Sequence, residues 1–384
     1  MSEAVDLFLE LTAIPSPPGE EREVADVVLR YLRELGLEPD EDAFGNVYAR
    51  LEPTAAGTPL FFCAHLDTVP PSGELRPVVE DGVVRNAGGT ILGGDNKAAV
   101  VQMLEGVRRV LVGNLPHAGI ELLFTRQEEI GLLGAAAFDD TRLHARLGYV
   151  YDQQGSIGEV ILGSPFAQGL EITFHGQAAH AGMSPEEGRS AIQAAAKAIA
   201  DMRLGRVDEE TTANVGVIRG GAAGNIVPDL CSFVAEARSH DERKLGDLVQ
   251  EMLDACTFAA SETECELQSE LRKSYRGYRF AKSDDVIRLA ADALGRCGHE
   301  VRYALSGGAA DANVFNERGR RCVNLTSGVH DFHSPDERIA VADLEAMVDV
   351  TVALVEAAGI ERRAGRRAAG VRGSTARADR RAVG

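Results

Sequence analysis

The sequence feature that most constrains the fold is the segment 60–70, LFFCAHLDTVP, in which an apolar run ends in His-x-Asp and is closed by proline. An unbroken apolar run of this length is typical of a strand buried on both faces, as in a parallel sheet. Side chains two positions apart on a strand share a face, so Asp67 can accept one ring N–H of His65 and leave the other nitrogen free for a metal. Alone, the pattern is common by chance, and it becomes informative only beside other polar residues at strand ends.

Around this strand, apolar patterns of the helical and the extended type alternate along the chain. Helices are predicted at 4–11, 20–35, 96–111, 133–138, 284–297 and 341–358. Further strands are predicted at 47–51, 119–125, 147–151, 300–304 and 322–325. Such alternation favours an α/β sandwich built on a mostly parallel sheet.

The pattern changes from about residue 163, where a strand, a helix, two strands, a helix and a strand follow one another. The predicted elements are strands at 169–175, 214–219, 229–238 and 264–271 and helices at 190–202 and 242–258. This order is typical of an α+β unit. We therefore expect a first domain at 1–162 and 278–360, interrupted by a second domain at 163–277.

Length, charge and cysteine usage limit the class of protein. A chain of 384 residues is too long for one ordinary core, and its formal net charge of −19 argues against nucleic acid or an anionic membrane as a partner. The six cysteines form no C-x-x-C pair, no signal-like segment opens the chain and no apolar run approaches 18 residues, so a cytoplasmic location is expected. Residues 361–384 are arginine-rich without apolar periodicity and are predicted to be a disordered, dispensable tail rather than a nucleic-acid or partner-binding segment.

Five polar residues of the first domain stand at or just beyond the carboxyl ends of predicted strands. They are His65, Asp95, Glu129, Asp152 and His333. Each alone is typical of a turn, a helix cap or a solvated surface. Together they lie at the edge where open α/β sheets gather their sites, and two imidazoles with three carboxylates can hold two divalent ions about 3.5–4 Å apart if one carboxylate bridges. This donor set suits zinc, with manganese or cobalt as substitutes.

One acid, Glu128, remains beside these ligands. A metal hydrolase needs such a spare carboxylate to take a proton from the attacking water. Glu128 and Glu129 are neighbours of the same type, so composition alone does not distinguish ligand from base.

The joint pattern resembles the co-catalytic M20 metallopeptidases, and within them the peptidase T-like branch, from the N-terminal helix to about residue 357. The motifs that carry the resemblance are HLD at 65–67, GGDNKAA at 93–99, EEIG at 128–131, Asp152, and HSPDE at 333–337. The fold that the resemblance implies is a mostly parallel α/β catalytic domain with an inserted lid and dimerisation domain, so a homodimer is expected.

The resemblance also implies a role for each ligand. His65 and Asp152 would bind one metal ion, Glu129 and His333 the other, and Asp95 would bridge them. The resemblance further implies that Glu128 is the general base and that Asp67 orients His65.

Inside the insertion, the resemblance implies three residues that act on substrate. His180, in GQAAHAG at 176–182, is similar to the lid histidine that helps to hold the oxyanion, often across the dimer. Asn225 and Arg238 match positions that bind the substrate backbone or carboxylate, and an arginine fork pairs with a carboxylate bidentately. The loop from Ser306 through Asp311 to Asn313 resembles a further substrate loop, but Ala312 replaces a glycine found in some relatives.

Three functions are compatible with the sequence. An aminopeptidase for short peptides, such as tripeptides, is favoured over a deacylase or related amidohydrolase because Asp rather than Glu at position 152 resembles the aminopeptidase side of the family. A non-catalytic dimeric scaffold is disfavoured because Glu128 and all five ligands are present.

Overall fold

A computed structural model describes residues 2–372, without the side chains of residue 273 and of residues 360–372. The chain forms two compact units. The first comprises the chain up to Leu162, Phe280–Ser306 and the chain from Ala310 onwards; the second comprises Gly163–Arg279 with Gly307–Ala309. The short segment Gly307–Ala309 groups with the second unit, whereas the sequence analysis assigns it to the first domain.

In chain order the helices are α1 Glu3–Thr12, α2 Arg22–Glu34, α3 Gly94–Val112, α4 Leu133–Ala137, α5 Ala191–Asp201, α6 Glu242–Thr263, α7 Asp285–Arg296, α8 Ala312–Glu317 and α9 Val341–Arg372. The strands are β1 Asp40–Glu41, β2 Val47–Leu51, β3 Leu60–His65, β4 Pro77–Glu80, β5 Val83–Asn86, β6 Ile120–Thr125, β7 Leu147–Gln153, β8 Glu159–Ser164, β9 Phe166–His175, β10 Gly205–Arg206, β11 Thr211–Gly220, β12 Leu230–Ser239, β13 Glu266–Tyr275, β14 Tyr278–Arg279, β15 Arg302–Leu305, β16 Arg321–Thr326, β17 Val329–His330 and β18 Arg338–Ala340.

The main sheet of the first unit has the strand order β1-β2-β6-β3-β7-β16-β8. Its four middle strands, β6, β3, β7 and β16, are mutually parallel, and the flanking pairs β2/β6 and β16/β8 are antiparallel. Every residue of β3 is buried, because helices cover both faces of a parallel sheet. The predicted α/β class with a mostly parallel sheet is therefore confirmed, and β3 lies in the middle of it.

A smaller antiparallel sheet, with the order β17-β18-β5-β4, was not predicted from the sequence. Its strands are short and only partly buried, so their apolar periodicity is weak. The signal that could have revealed it is the Asp81-Gly82 pair, whose φ angles of 51° and 77° fit a type I′ hairpin turn. The β17–β18 hairpin matters for the site, because its loop, residues 331–337, carries His333.

The second unit is an antiparallel sheet with the order β10-β11-β12-β9-β13. Helices α5 and α6 pack on it and share one hydrophobic core with β9 and β12, which includes Ile172, Phe174 and Phe233. The α+β order predicted for the insertion is present in this unit.

The last helix, α9, continues to Arg372, beyond the end predicted at residue 358. It thus includes the first part of the segment 361–384 that the sequence analysis predicts to be disordered. Residues 373–384 lie outside the described residues. Within the described part of the chain, no helix is long and apolar enough to cross a membrane.

Candidate metal centre

The site is built at the carboxyl edge of the parallel strands. His65 ends β3 opposite Thr125, the last residue of β6, and Asp152 lies near the end of the neighbouring strand β7. The ring of His65 is only 2% exposed, and its Nε2 lies 3.8 Å from Oδ1 of Asp152. Parallel strands end at one edge of a sheet, which explains why residues far apart in the sequence meet here.

Asp95 stands between two histidines. Its Oδ1 lies 3.2 Å from Nε2 of His65, and its Oδ2 accepts a hydrogen bond of 3.1 Å from Nε2 of His333. The same nitrogen of His333 lies 3.0 Å from Oε1 of Glu129. Two oxygens of one carboxylate facing two different imidazoles is the arrangement that a bridging ligand requires.

Asp67 contacts more of the site than the sequence analysis predicts. Nδ1 of His65 lies 2.8 Å from the main-chain carbonyl of Asp67 and 3.5 Å from its carboxylate, so the shorter contact is to the backbone. The two carboxylate oxygens of Asp67 accept the backbone N–H groups of Glu128 and Glu129, each at 3.0 Å. Asp67 therefore fixes the loop that carries both glutamates as well as the ring of His65.

The electrostatics of the site favour a bound cation. Burial and the nearby charge of Asp152 raise the pKa of Glu128 well above its usual value, and burial with the charge of Asp95 does the same to the pKa of Asp152. Burial opposes the charged form of His65, but the carboxylates of Asp152, Asp67 and Asp95 outweigh it and raise its pKa. In the described part of the chain, no lysine or arginine pairs with these acids, so only the histidines offset their negative charge.

Geometry supports the same conclusion. One ligand atom from each of His65, Glu128 and Asp152 lies within 4.8 Å of the others, and so do those of His65, Asp95 and Glu129. The buried Oδ1 of Asp95 has no hydrogen-bond partner, although Nε2 of His65 lies 3.2 Å away. An imidazole and carboxylate set with an unsatisfied buried oxygen fits divalent metal ions such as zinc.

The three residues predicted to act on substrate all lie in the second unit. His180 is exposed, and its backbone is paired with Ile226 beside Asn225, whose carbonyl accepts the N–H of Ala181 at 3.0 Å. Arg238, on β12, donates to the Gly307 carbonyl at 3.1 Å and to Glu236 at 3.0 Å. The structure thus places His180 next to Asn225 and connects Arg238 with the glycine-rich segment at 307–309.

The structure places three further buried polar side chains beside the proposed ligands. The Asn324 side chain accepts the backbone N–H of Asp152 at 2.8 Å and donates to its carbonyl at 2.9 Å. The Asp311 carboxylate, which the resemblance assigned to a substrate loop, is 1% exposed and accepts from Thr125 at 2.5 Å. Glu337 accepts backbone N–H groups of the loop that precedes Asp95. Sequence signals existed for Asp311, in the loop that resembles a substrate loop, and for Glu337, which ends the HSPDE motif, but not for Asn324.

Comparisons with known proteins agree with this fold. The profile of the peptidase dimerisation domain of the M20 peptidases matches residues 165–264, and that of peptidase family M28 matches residues 46–164. A Bacillus subtilis protein, YqjE, is 37% identical, and the match covers 91% of this chain and 97% of that protein. Peptidase T of Vibrio cholerae is 26% identical, and the match covers 89% of this chain and 92% of that protein.

Two solved structures are similar over nearly the whole chain. The aminopeptidase PepT from Bacillus cereus is 37% identical, with a TM-score of 0.86 and coverage of 92% of this chain and 98% of that chain. A tripeptidase from Staphylococcus aureus is 32% identical, with a TM-score of 0.90 and coverage of 93% and 98%.

The interrupted α/β fold and the cluster of imidazoles and carboxylates define a metal-dependent hydrolase. The M28 match is confined to 46–164, whereas the similarity to the peptidase T structures extends over both units. The chain therefore belongs to the M20 family of metallopeptidases, in its peptidase T-like branch.

Proposed function

We propose that the chain is a dinuclear aminopeptidase that hydrolyses short peptides, tripeptides among them. The observation that carries this proposal is the position of Asp95 between His65 and His333, with Glu128 close to His65 and Asp152. The similarity to the Bacillus cereus aminopeptidase and the Staphylococcus aureus tripeptidase supports the same substrate class.

Two zinc ions are the proposed cofactors, with manganese or cobalt as substitutes. In this assignment His65 and Asp152 would hold one ion, Glu129 and His333 would hold the other, and Asp95 would contribute to both. When bound, the ions supply an acidified water and polarise the scissile carbonyl.

Glu128 is the proposed catalytic base. It has no side-chain hydrogen bond to any other described residue, and burial keeps the pKa of its carboxyl group high, so it can take a proton from the attacking water. It then gives that proton to the leaving amine. The backbone N–H of Glu128 is held by Asp67, which keeps the base in position.

The second unit is the proposed lid and dimerisation domain. The match to the peptidase dimerisation domain supports this role, as do Val217 and Ile218 on β11, which are 42% and 52% exposed. Exposed apolar side chains on a strand are typical of an interface. In a homodimer His180 stabilises the oxyanion, while Asn225 and Arg238 bind the substrate backbone or carboxylate.

We place the enzyme in the cytoplasm, with peptides rather than nucleic acid or a membrane as its partners. All six cysteines are free, which is typical of a reducing compartment. The net charge of −19 disfavours binding to phosphate-rich surfaces.

The test is an assay of the zinc-, manganese- and cobalt-loaded protein against di-, tri- and tetrapeptides beside N-acetyl and N-succinyl amino acids. Release of the N-terminal residue from a peptide with a free amino group is the expected result. Cleavage of the acylated amino acids alone would show a deacylase instead. Loss of cleavage in Glu128→Gln is the control that assigns the activity to this site.

A further inference from the structure

Glu337 makes an unusual set of contacts for a residue outside the proposed ligand set. Its side chain is 1% exposed. Oε2 accepts the backbone N–H groups of Leu92 at 2.8 Å and Gly93 at 2.9 Å, and Oε1 accepts that of Asp95 at 2.9 Å. One buried carboxylate thus receives three backbone donors from a single loop.

The local backbone explains why these donors converge. Gly93 has a left-handed φ of 73°, which turns successive N–H groups towards one point before α3 begins. The donors lie before the regular part of α3, because the backbone of Asp95 and Asn96 is not helical. A Cβ at Gly94 would approach Oε1 of Glu337 to 3.2 Å, so the glycine allows the carboxylate to lie this close.

The contact joins two loops that each carry a proposed ligand. Glu337 follows His333 by four residues in the β17–β18 loop, and the donors belong to the loop of Asp95. This contact therefore joins the same two loops as the contact between Nε2 of His333 and Oδ2 of Asp95. Fixing both loops to each other sets the distance between these two side chains.

We infer that Glu337 is a positioning residue that holds the Asp95 loop against the His333 loop and so pre-forms the site for the second metal ion. The inference rests on the proposed function for the identity of the ligands, but the contact itself does not depend on a metal. Glu337 acts through Asp95 and His333.

Glu337→Gln is the informative variant, because it conserves size but replaces one acceptor oxygen by an NH2 group. Whichever oxygen is replaced, at least one backbone N–H then faces a donor and loses its partner. We expect affinity for one of the two ions to fall by about 10- to 100-fold, as is usual when a group that supports a ligand is lost. Glu337→Asp, which keeps both oxygens on a shorter stem, should recover part of the affinity.

Glu121→Gln is the matched control. Glu121 is also buried, at 2% exposed, and accepts the backbone N–H groups of His144 at 3.0 Å and Ala145 at 2.7 Å, but it contacts no proposed ligand. A general loss of stability should affect both variants equally. A loss of metal affinity should affect only Glu337→Gln.

Two measurements on the full chain decide the inference. Amide hydrogen exchange of metal-free protein should show faster exchange at residues 92–95 in Glu337→Gln and no change there in Glu121→Gln.

Zinc titration should show two bound ions per chain in the wild type and weaker binding of one of them in Glu337→Gln. Unchanged exchange at 92–95 overturns the inference, as does wild-type zinc affinity in Glu337→Gln. A wild type that binds no zinc rejects the proposed function, and the exchange result still decides whether Glu337 holds the loop.

Discussion

At the scale of single residues, the pair Glu128 and Glu129 shows how position separates two identical side chains. Both backbone N–H groups bind Asp67, but Glu129 lies against His333 whereas Glu128 lies near His65 and Asp152. Sequence reasoning can assign acids to this turn but cannot divide the roles, because neighbouring residues of one type give the same local signal.

The first prediction separates the two roles. Glu128→Gln should keep both metal ions and lower kcat by about 10²- to 10⁴-fold, since a positioned base contributes that much. Glu129→Gln should weaken one ion and regain part of its activity when metal is added in excess. If excess metal restores Glu128→Gln and not Glu129→Gln in steady-state assays, the roles are exchanged.

The second prediction concerns Asp67. Because both its oxygens accept backbone N–H groups, Asp67→Asn turns one acceptor into a donor and should misplace the loop of Glu128 and Glu129. Metal affinity or kcat/KM should fall by about 10- to 100-fold. Zinc titration measures the metal affinity, and a peptide hydrolysis assay measures kcat/KM. Wild-type values for both quantities in Asp67→Asn would show that the Asp67 side chain only fills space.

At the scale of secondary-structure elements, long and strongly periodic segments were predictable and short ones were not. The buried run of β3 and the helices α2 and α3 appear within a few residues of their predicted bounds, because burial imposes a regular apolar pattern. The strands of the small sheet and β8 escaped prediction, since short strands of mixed burial leave little pattern. The proximity of His65 and Asp152 was predictable because both stand at the ends of parallel strands; the contacts of Glu337 were not, because its donors lie more than 240 residues away in the sequence.

The third prediction tests the second unit as a lid shared between protomers. Glu128→Gln and His180→Ala should each be nearly inactive. If His180 completes the site of the partner subunit, mixing the two variants should restore activity in the fraction of heterodimers that carries one intact site. Subunit exchange is checked with differently tagged chains by co-purification. Exchange without any recovered activity would show that His180 acts within its own chain or not at all.

At the scale of the whole molecule, the site concentrates negative charge that, among the described residues, only the histidines offset. Burial raises the pKa values of Glu128 and Asp152 above their usual range, so ionising both in the metal-free protein costs stability. Divalent ions that bind the folded chain remove this cost. Sequence patterns predict two domains and candidate ligands at strand ends, whereas this balance depends on burial that only the fold reveals.

The fourth prediction is a metal-dependent stability. A ligand that binds only the folded state at 100 times its Kd adds about 2.7 kcal/mol to the free energy of unfolding. Zinc-loaded wild-type protein should therefore have a higher Tm than chelator-treated protein by calorimetry. Asp95→Ala, which removes the shared carboxylate, should show little difference between the two conditions. An equal zinc-dependent shift in both proteins would place the bound metal elsewhere.

The central claim is that one carboxylate, Asp95, serves two metal ions, and elemental analysis of purified protein tests it most directly. After zinc loading and removal of free metal, the wild type should hold two ions per chain, and so should Asp26→Ala, which alters an exposed aspartate of α2. Asp95→Ala should lose both ions rather than one, because each ion loses the oxygen that faces its histidine. Two ions per chain in Asp95→Ala would contradict the account.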